Sequence, residues 1–133
     1  MNELIYLGQV LYAMTLGSLI GLQRERWGKP AGPRTHALVT AGAAAFTILS
    51  MNAFGSADTS RVASNIVVGI GFLGAGLIFH KDDKVQGLTT AAGFWAASAI
   101  GMSIGAGYYI LGAGMTVLML ILLTLDDSRF RKK

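Results

Sequence analysis

The chain has no cysteine at all. Disulfides, thiolate metal centres and cysteine nucleophiles are excluded at the outset. It is also poor in charge: 14% of its residues are Asp, Glu, Lys or Arg, against 53% hydrophobic. Soluble domains carry about 25% charged residues, and a small domain has the most surface to cover. At 133 residues this is one domain, 1–133, too apolar to face water on every side. Proline is scarce, with two in the whole chain, Pro30 and Pro33 in one loop. The start, Met1-Asn2-Glu3, has no basic n-region, which argues against a cleaved signal peptide. Net charge is +4, but the basic residues lie between apolar runs, where they predict cytoplasmic membrane loops and no nucleic-acid surface.

What is present is a series of five apolar runs, approximately 4–22, 37–54, 62–79, 87–103 and 108–125. Seventeen to nineteen residues per run give roughly 26–29 Å of helix, about one hydrocarbon core. Backbone in lipid must satisfy its own hydrogen bonds, so each run predicts a helix. The expected fold class is all-α, a polytopic transmembrane bundle of about five spans. The fourth-to-fifth boundary carries no charge and is ringed by Gly101, Gly105, Gly107, Gly112 and Gly114. It predicts either a tight hairpin around Gly105–Gly107 or a re-entrant segment.

Lys and Arg placement predicts the orientation. With the N-terminus out and the C-terminus in, Arg24, Arg26, Lys29, Arg34, Lys81, Lys84, Arg129, Arg131, Lys132 and Lys133 all lie inside. Of the eleven basic residues only Arg61 lies outside, and Asp58 is its expected local partner. Such a bias excludes a dual-topology dimer. Trp27 reads as an interfacial aromatic, and the basic tail after Leu125 as an anchor to anionic lipid.

Eighteen glycines supply small residues at helical spacing. Gly17 and Gly21 share a face of the first run with Ala13. Gly69, Gly71, Gly74 and Gly76 crowd the third, where Gly71 pairs with Ala75. These positions predict close helix packing, inside the bundle or, in the first or third span, at an interface between copies. The segment Gly69–Gly76 also matches GxGxxG, but no acidic residue follows about 20 positions on, so a dinucleotide site is excluded.

The runs contain no Asp, Glu, Lys or Arg in their interiors. Buried ionisable groups usually mark ion and proton relays, and a Mg²⁺ site wants carboxylates. Polar residues gather instead at the helix ends: Gln23, Arg24, Glu25, Arg34, Thr35 and His36 around the first loop, Arg61 and Asn65 opening the third run, Thr89 and Thr90 opening the fourth. This set is the candidate binding cluster, for a partner or an ion. Thr35 is the expected cap of the second helix. His36 and His80 lack a neighbouring ligand at helical spacing and read as interfacial, so no metal site is assigned. No nucleophile–base pair or carboxylate pair occurs within the runs, and neither catalysis nor a cofactor is expected.

The segments Gly17-Ser18-Leu19-Ile20-Gly21-Leu22-Gln23-Arg24-Glu25, Ala31–Val39, Arg61–Ile66, Gly69–Gly76, Gly87–Ala92 and Trp95-Ala96-Ala97, in this order, resemble the MgtC/SapB family of bacterial membrane proteins. The resemblance implies a multi-pass domain of the bacterial inner membrane, linked to Mg²⁺ homeostasis as a regulator. It implies partners in the bilayer, among them the membrane sector of F-type ATP synthase; association as a homo-oligomer is the expectation that the small-residue faces carry. A small-ion channel or transporter is the alternative, with Arg24, Glu25, Arg34, Asn65 and Thr90 along a polar path. Three departures stand out. Gln23 occupies a position where many relatives carry an acid, Pro33 replaces a usual leucine, and the chain stops at Lys133, as in the shorter, SapB-like form without a soluble C-terminal domain.

Overall fold

The computed structural model describes residues 2–55 and 58–125. Five helices follow one another: α1 (Asn2–Arg26), α2 (Pro33–Asn52), α3 (Ser60–Ala75), α4 (Leu88–Gly105) and α5 (Tyr109–Thr124). Between α3 and α4 lies a short antiparallel hairpin, β1 (Phe79–Lys81) with β2 (Lys84–Gln86). The described part of the basic-tail expectation ends at Leu125; Asp126 to Lys133 lie outside the described residues.

Side-chain size marks the central helix. α4 is rich in Ala, Gly and Ser, and ten of its residues are buried, among them Ala97, Ile100 and Ile104. Small side chains let neighbouring helices approach closely, and α4 touches each of the other four. The core joins Ala13, Leu16 and Ile20 of α1 with Ala44, Ile100, Ile104 and Met119. α3 is the outlier, with Ile70 and Gly74 alone buried. Large apolar side chains cover the outside: Ile110 is 90% exposed, Phe72 82% and Leu4 76%. An apolar exterior on this scale calls for a non-aqueous neighbour. Among the described residues, α1 alone is both long and apolar enough to cross a bilayer by itself; α3 and α5 are apolar but have 16 residues each.

Backbones meet at glycine. Gly21 of α1 lies against Gly32 and Pro33, where a methyl group would sit 2.5 Å from the Gly32 carbonyl oxygen. Gly101 of α4 meets the Thr40 carbonyl and would place its methyl 2.8 Å from Ala43 Cβ. Helix α2 is thus pressed between α1 and α4. Gly17 and Gly74 also pack, against His36 and Ala91, and Gly76 lies near Leu73. Gly69 and Gly71 do not: nothing lies within 4 Å of either added methyl. Neither therefore marks a close backbone approach: Gly69 borders an open groove between α3 and its neighbours α2 and α4, and Gly71, two residues on, lies on the other side of α3.

Helix ends explain the connections. Lys29 N donates to Arg24 O and Gly28 N to Glu25 O, closing α1 with Gly28 at φ +62°. The same paired bonds, Tyr108 N to Ser103 O and Gly107 N to Ile104 O, close α4 with Gly107 at φ +87°. This is the Schellman ending, which favours glycine. The fourth-to-fifth connection is therefore the tight turn, and α5 begins at Tyr109.

Three expectations are corrected here. The third apolar run is not one helix over 62–79: α3 ends at Ala75, and Phe79 begins β1. Thr35 does not cap α2, because Pro33 already occupies the first helical position after Gly32. Arg61 does not draw on the Asp58 side chain. That carboxylate accepts from the Ser60 hydroxyl and amide, at 2.6 and 2.9 Å, bonds that hold its pKa below the ordinary value.

Polar ties join α1 to its neighbours. Tyr6 donates to Asn52 Oδ1 at 3.0 Å. Gln9, buried on the core face, donates through Nε2 to Ile104 O at 3.1 Å and to the Tyr109 hydroxyl at 2.9 Å. Among the described residues its Oε1 has no partner.

Candidate functional site

The buried stripe of α1 runs Ala13, Leu16, Gly17, Ile20, Gly21, Arg24. This is helical spacing of three and four, so the periodicity that buries Ile20 carries Arg24 inward as well. Arg24 is 5% exposed. Its Nη2 donates to Thr90 Oγ1 at 2.9 Å. Thr90, equally buried, stands in the first turn of α4. The turn begins at Gly87, whose φ of +87° is a left-handed conformation and whose missing side chain makes room for the Leu77 carbonyl. Only glycine meets both demands. Gly87 thereby seats the hairpin beneath the start of α4.

The hairpin has a two-residue turn with Asp82 at φ +50° and Asp83 at φ +58°. Positive φ at both central positions is the type I′ pattern, which suits the twist of paired strands. It brings Lys84 to the same end of the molecule as Arg24. Arg24, Trp27, Lys29, Lys84, Gln86 and Thr90 line a cavity of about 660 Å³. The cations lining it are Arg24, Lys29 and Lys84, and its described lining includes no carboxylate. Among the described residues, no three His, Cys, Asp or Glu side chains come together as a metal-holding group. The chemistry of this lining suits an anion.

His36 is 1% exposed, enclosed by the bundle at the start of α2. Its ring stands edge-on to Phe94, centroids 5.1 Å apart, and Nδ1 is 3.2 Å from the Gly32 carbonyl. A carbonyl only accepts, so Nδ1 carries the proton. His36 fixes the start of α2 against α4. Gln23 reaches across to α5, donating through Nε2 to Leu123 O at 2.8 Å, and among the described residues its Oε1 has no partner.

The remaining predicted residues separate from this group. Glu25 and Arg34 are exposed, as is Thr89, although Thr89 lines the rim of the same cavity. Thr35 and Asn65 line a different, apolar groove of about 710 Å³ between α2, α3 and α4. Asn65 there donates to the Arg61 carbonyl of its own helix, at 2.9 Å. Arg61 is exposed. The polar path through Arg24, Glu25, Arg34, Asn65 and Thr90 is therefore not assembled; Arg24 and Thr90 alone of that set meet. Sequence reasoning passed over Lys29, Lys84 and Gln86 as loop residues, because only the hairpin brings β2 to Arg24. Gln9 was missed too, although a lone glutamine in an apolar run is a signal in itself.

The MgtC family model matches residues 10–130. The chain is 43% identical over 131 residues to a protein of Escherichia coli K12 named "Putative magnesium transporter YhiD", covering 92% of this chain and 60% of that one. It is 45% identical over 108 residues to Protein MgtC of Brucella abortus, covering 81% of this chain and 45% of the relative. Protein SrpB of Synechococcus elongatus is 40% identical over 130 residues, 87% of this chain and 71% of its own. The chain thus spans about half to three-fifths of the first two relatives. No solved structure matches.

Proposed function

Since the chain belongs to the MgtC family, we propose that it is a multi-pass inner-membrane protein of Mg²⁺-linked homeostasis, regulatory and non-enzymatic, that works through the Arg24–Thr90 end of its bundle. Membership supports a magnesium-related membrane role, and the apolar exterior supports residence in lipid. In this reading the N-terminus is outside, and the first loop and the hairpin face the cytoplasm. The observation that carries the reading is the buried Arg24–Thr90 pair beneath a cavity lined by cations. A Mg²⁺ conduit wants oxygen ligands with carboxylates, whereas here three positive groups would repel the ion.

The outward face of α3 around Gly71 and Phe72 is the surface we assign to a second copy or to a membrane partner, such as the membrane sector of an F-type ATP synthase. Two measurements test the reading together. Cells lacking the chromosomal copy are grown at low Mg²⁺ with wild type or with Arg24→Gln, and purified protein is assayed for ion flux in proteoliposomes. Loss of growth in the variant, with no Mg²⁺, K⁺, H⁺ or anion flux in wild type, is the expected result. Flux by the wild-type protein would instead establish the transporter reading that the name of the Escherichia coli relative carries.

A further inference from the structure

Arg24 is a charge placed where charge is expensive. Arg24 is buried, 5% exposed, and a buried cation needs a counter-charge or full hydrogen bonding. Among the described residues its one side-chain hydrogen bond is to the neutral hydroxyl of Thr90. A guanidinium has five N–H donors in a planar fork, and this one borders the cavity.

Three further features face the same space. Lys29 and Lys84 add positive charge from the first loop and from β2. Gly87, Leu88, Thr89 and Thr90, the start of α4, line the cavity, and no side chain caps that helix end. Free first-turn N–H groups and the helix dipole favour an anion there. Trp27, Leu122 and Leu125 supply an apolar wall beside the polar one.

We propose that this cavity binds a phosphate-bearing anion, with the Arg24 fork and the amides opening α4 on the phosphate oxygens and Lys29 and Lys84 at the mouth. The planar fork matches a phosphate bidentately. Two sources share that chemistry: the headgroup of an anionic phospholipid, whose chains would lie along the apolar wall, and free phosphate from the cytoplasm. The inference rests on the reading of this end as the working surface, but its binding readout does not depend on that reading.

The test uses the full chain purified in neutral detergent. Thermal stability and retained mass are measured with phosphatidylglycerol, with phosphatidylcholine, and with inorganic phosphate against chloride at equal ionic strength. Saturable stabilisation by phosphatidylglycerol alone assigns a lipid headgroup; stabilisation by inorganic phosphate assigns the free anion. Lys29→Gln and Lys84→Gln touch no buried contact, and each is expected to weaken binding about fivefold, equivalent to about 1 kcal/mol. Arg24→Gln is expected to weaken it more than tenfold. Binding by neither anion, or binding unchanged in the double lysine variant, overturns the proposal. So does binding that appears only in Asp126→Asn/Asp127→Asn, since the chain's own carboxylates would then be the occupant. A double lysine variant that loses binding yet restores growth at low Mg²⁺ upholds the anion site and sinks the functional reading.

Discussion

Gly21→Ala and Gly101→Ala are the sharpest probes of how this bundle holds together. At Gly21 the new methyl would sit 2.5 Å from Gly32 O, and at Gly101 it would sit 2.8 Å from Ala43 Cβ and 3.0 Å from the Thr40 carbonyl carbon. Ordinary carbon contacts begin near 3.5 Å, so α2 must retreat by about 1 Å. The obstacles are mainly backbone, which cannot swing aside as a flexible side chain would. Overpacking of this kind costs about 1–3 kcal/mol. The helix-forming gain of alanine over glycine, about 1 kcal/mol, works against it. Gly69→Ala receives the same gain, and its methyl meets nothing within 4 Å. The expected order of apparent melting temperature in detergent is Gly69→Ala at or above wild type, with Gly21→Ala and Gly101→Ala lower by about 5 °C or more. Equal melting temperatures for Gly21→Ala and Gly69→Ala would refute the close approach of α1 to α2. A marked loss for Gly69→Ala would instead mean that the groove Gly69 borders, between α3 and the α2–α4 pair, is filled in the purified protein.

Three other outcomes follow from single contacts. Thr90→Val removes the acceptor of the buried guanidinium and is expected to cost about 1.5–3 kcal/mol in thermal or denaturant unfolding, whereas Thr90→Ser stays near wild type. Gln9→Leu loses the bonds to Ile104 O and Tyr109 but also the unpartnered Oε1. The two effects nearly cancel, so unfolding should shift by less than about 1 kcal/mol. Asp83→Gly relieves a side chain at φ +58° and is expected to raise amide-exchange protection at Lys84, which closes the turn opposite Lys81; faster exchange there would contradict the type I′ turn.

The five helices and their order were legible because each apolar run is long and is closed by charge or glycine. α3 was overread at its end, since Leu77, Ile78 and Phe79 continue the hydrophobic pattern that Ala75 ends as helix. Strands of three residues around Asp82 and Asp83 leave no period-two signal to count. Arg24 and Thr90 were both named as candidates on polarity alone. Their pairing was not legible, because a bond between residues 66 apart depends on how α1 and α4 align. Arg34 looked equivalent to Arg24 in composition. It lies outside the stripe that periodicity buries, and that phase separates an exposed cation from an enclosed one.

The two ties between α1 and α4 have a consequence for how the helices find their alignment. Gln9 meets Ile104 near one end, and Arg24 meets Thr90 at the other. The separations are fifteen residues along α1 (24 − 9) and fourteen along α4 (104 − 90), or roughly 22 and 21 Å at helical rise. The pair therefore works as a ladder with two matched rungs on antiparallel rails. In lipid, apolar side chains slide past one another at little cost, because no water penalises the slip. A slide of one turn, about 5.4 Å, would break both rungs together and leave a buried guanidinium and a buried amide without these partners. Lipid leaves the alignment of these two helices free, and a pair of hydrogen-bonded rungs fixes it.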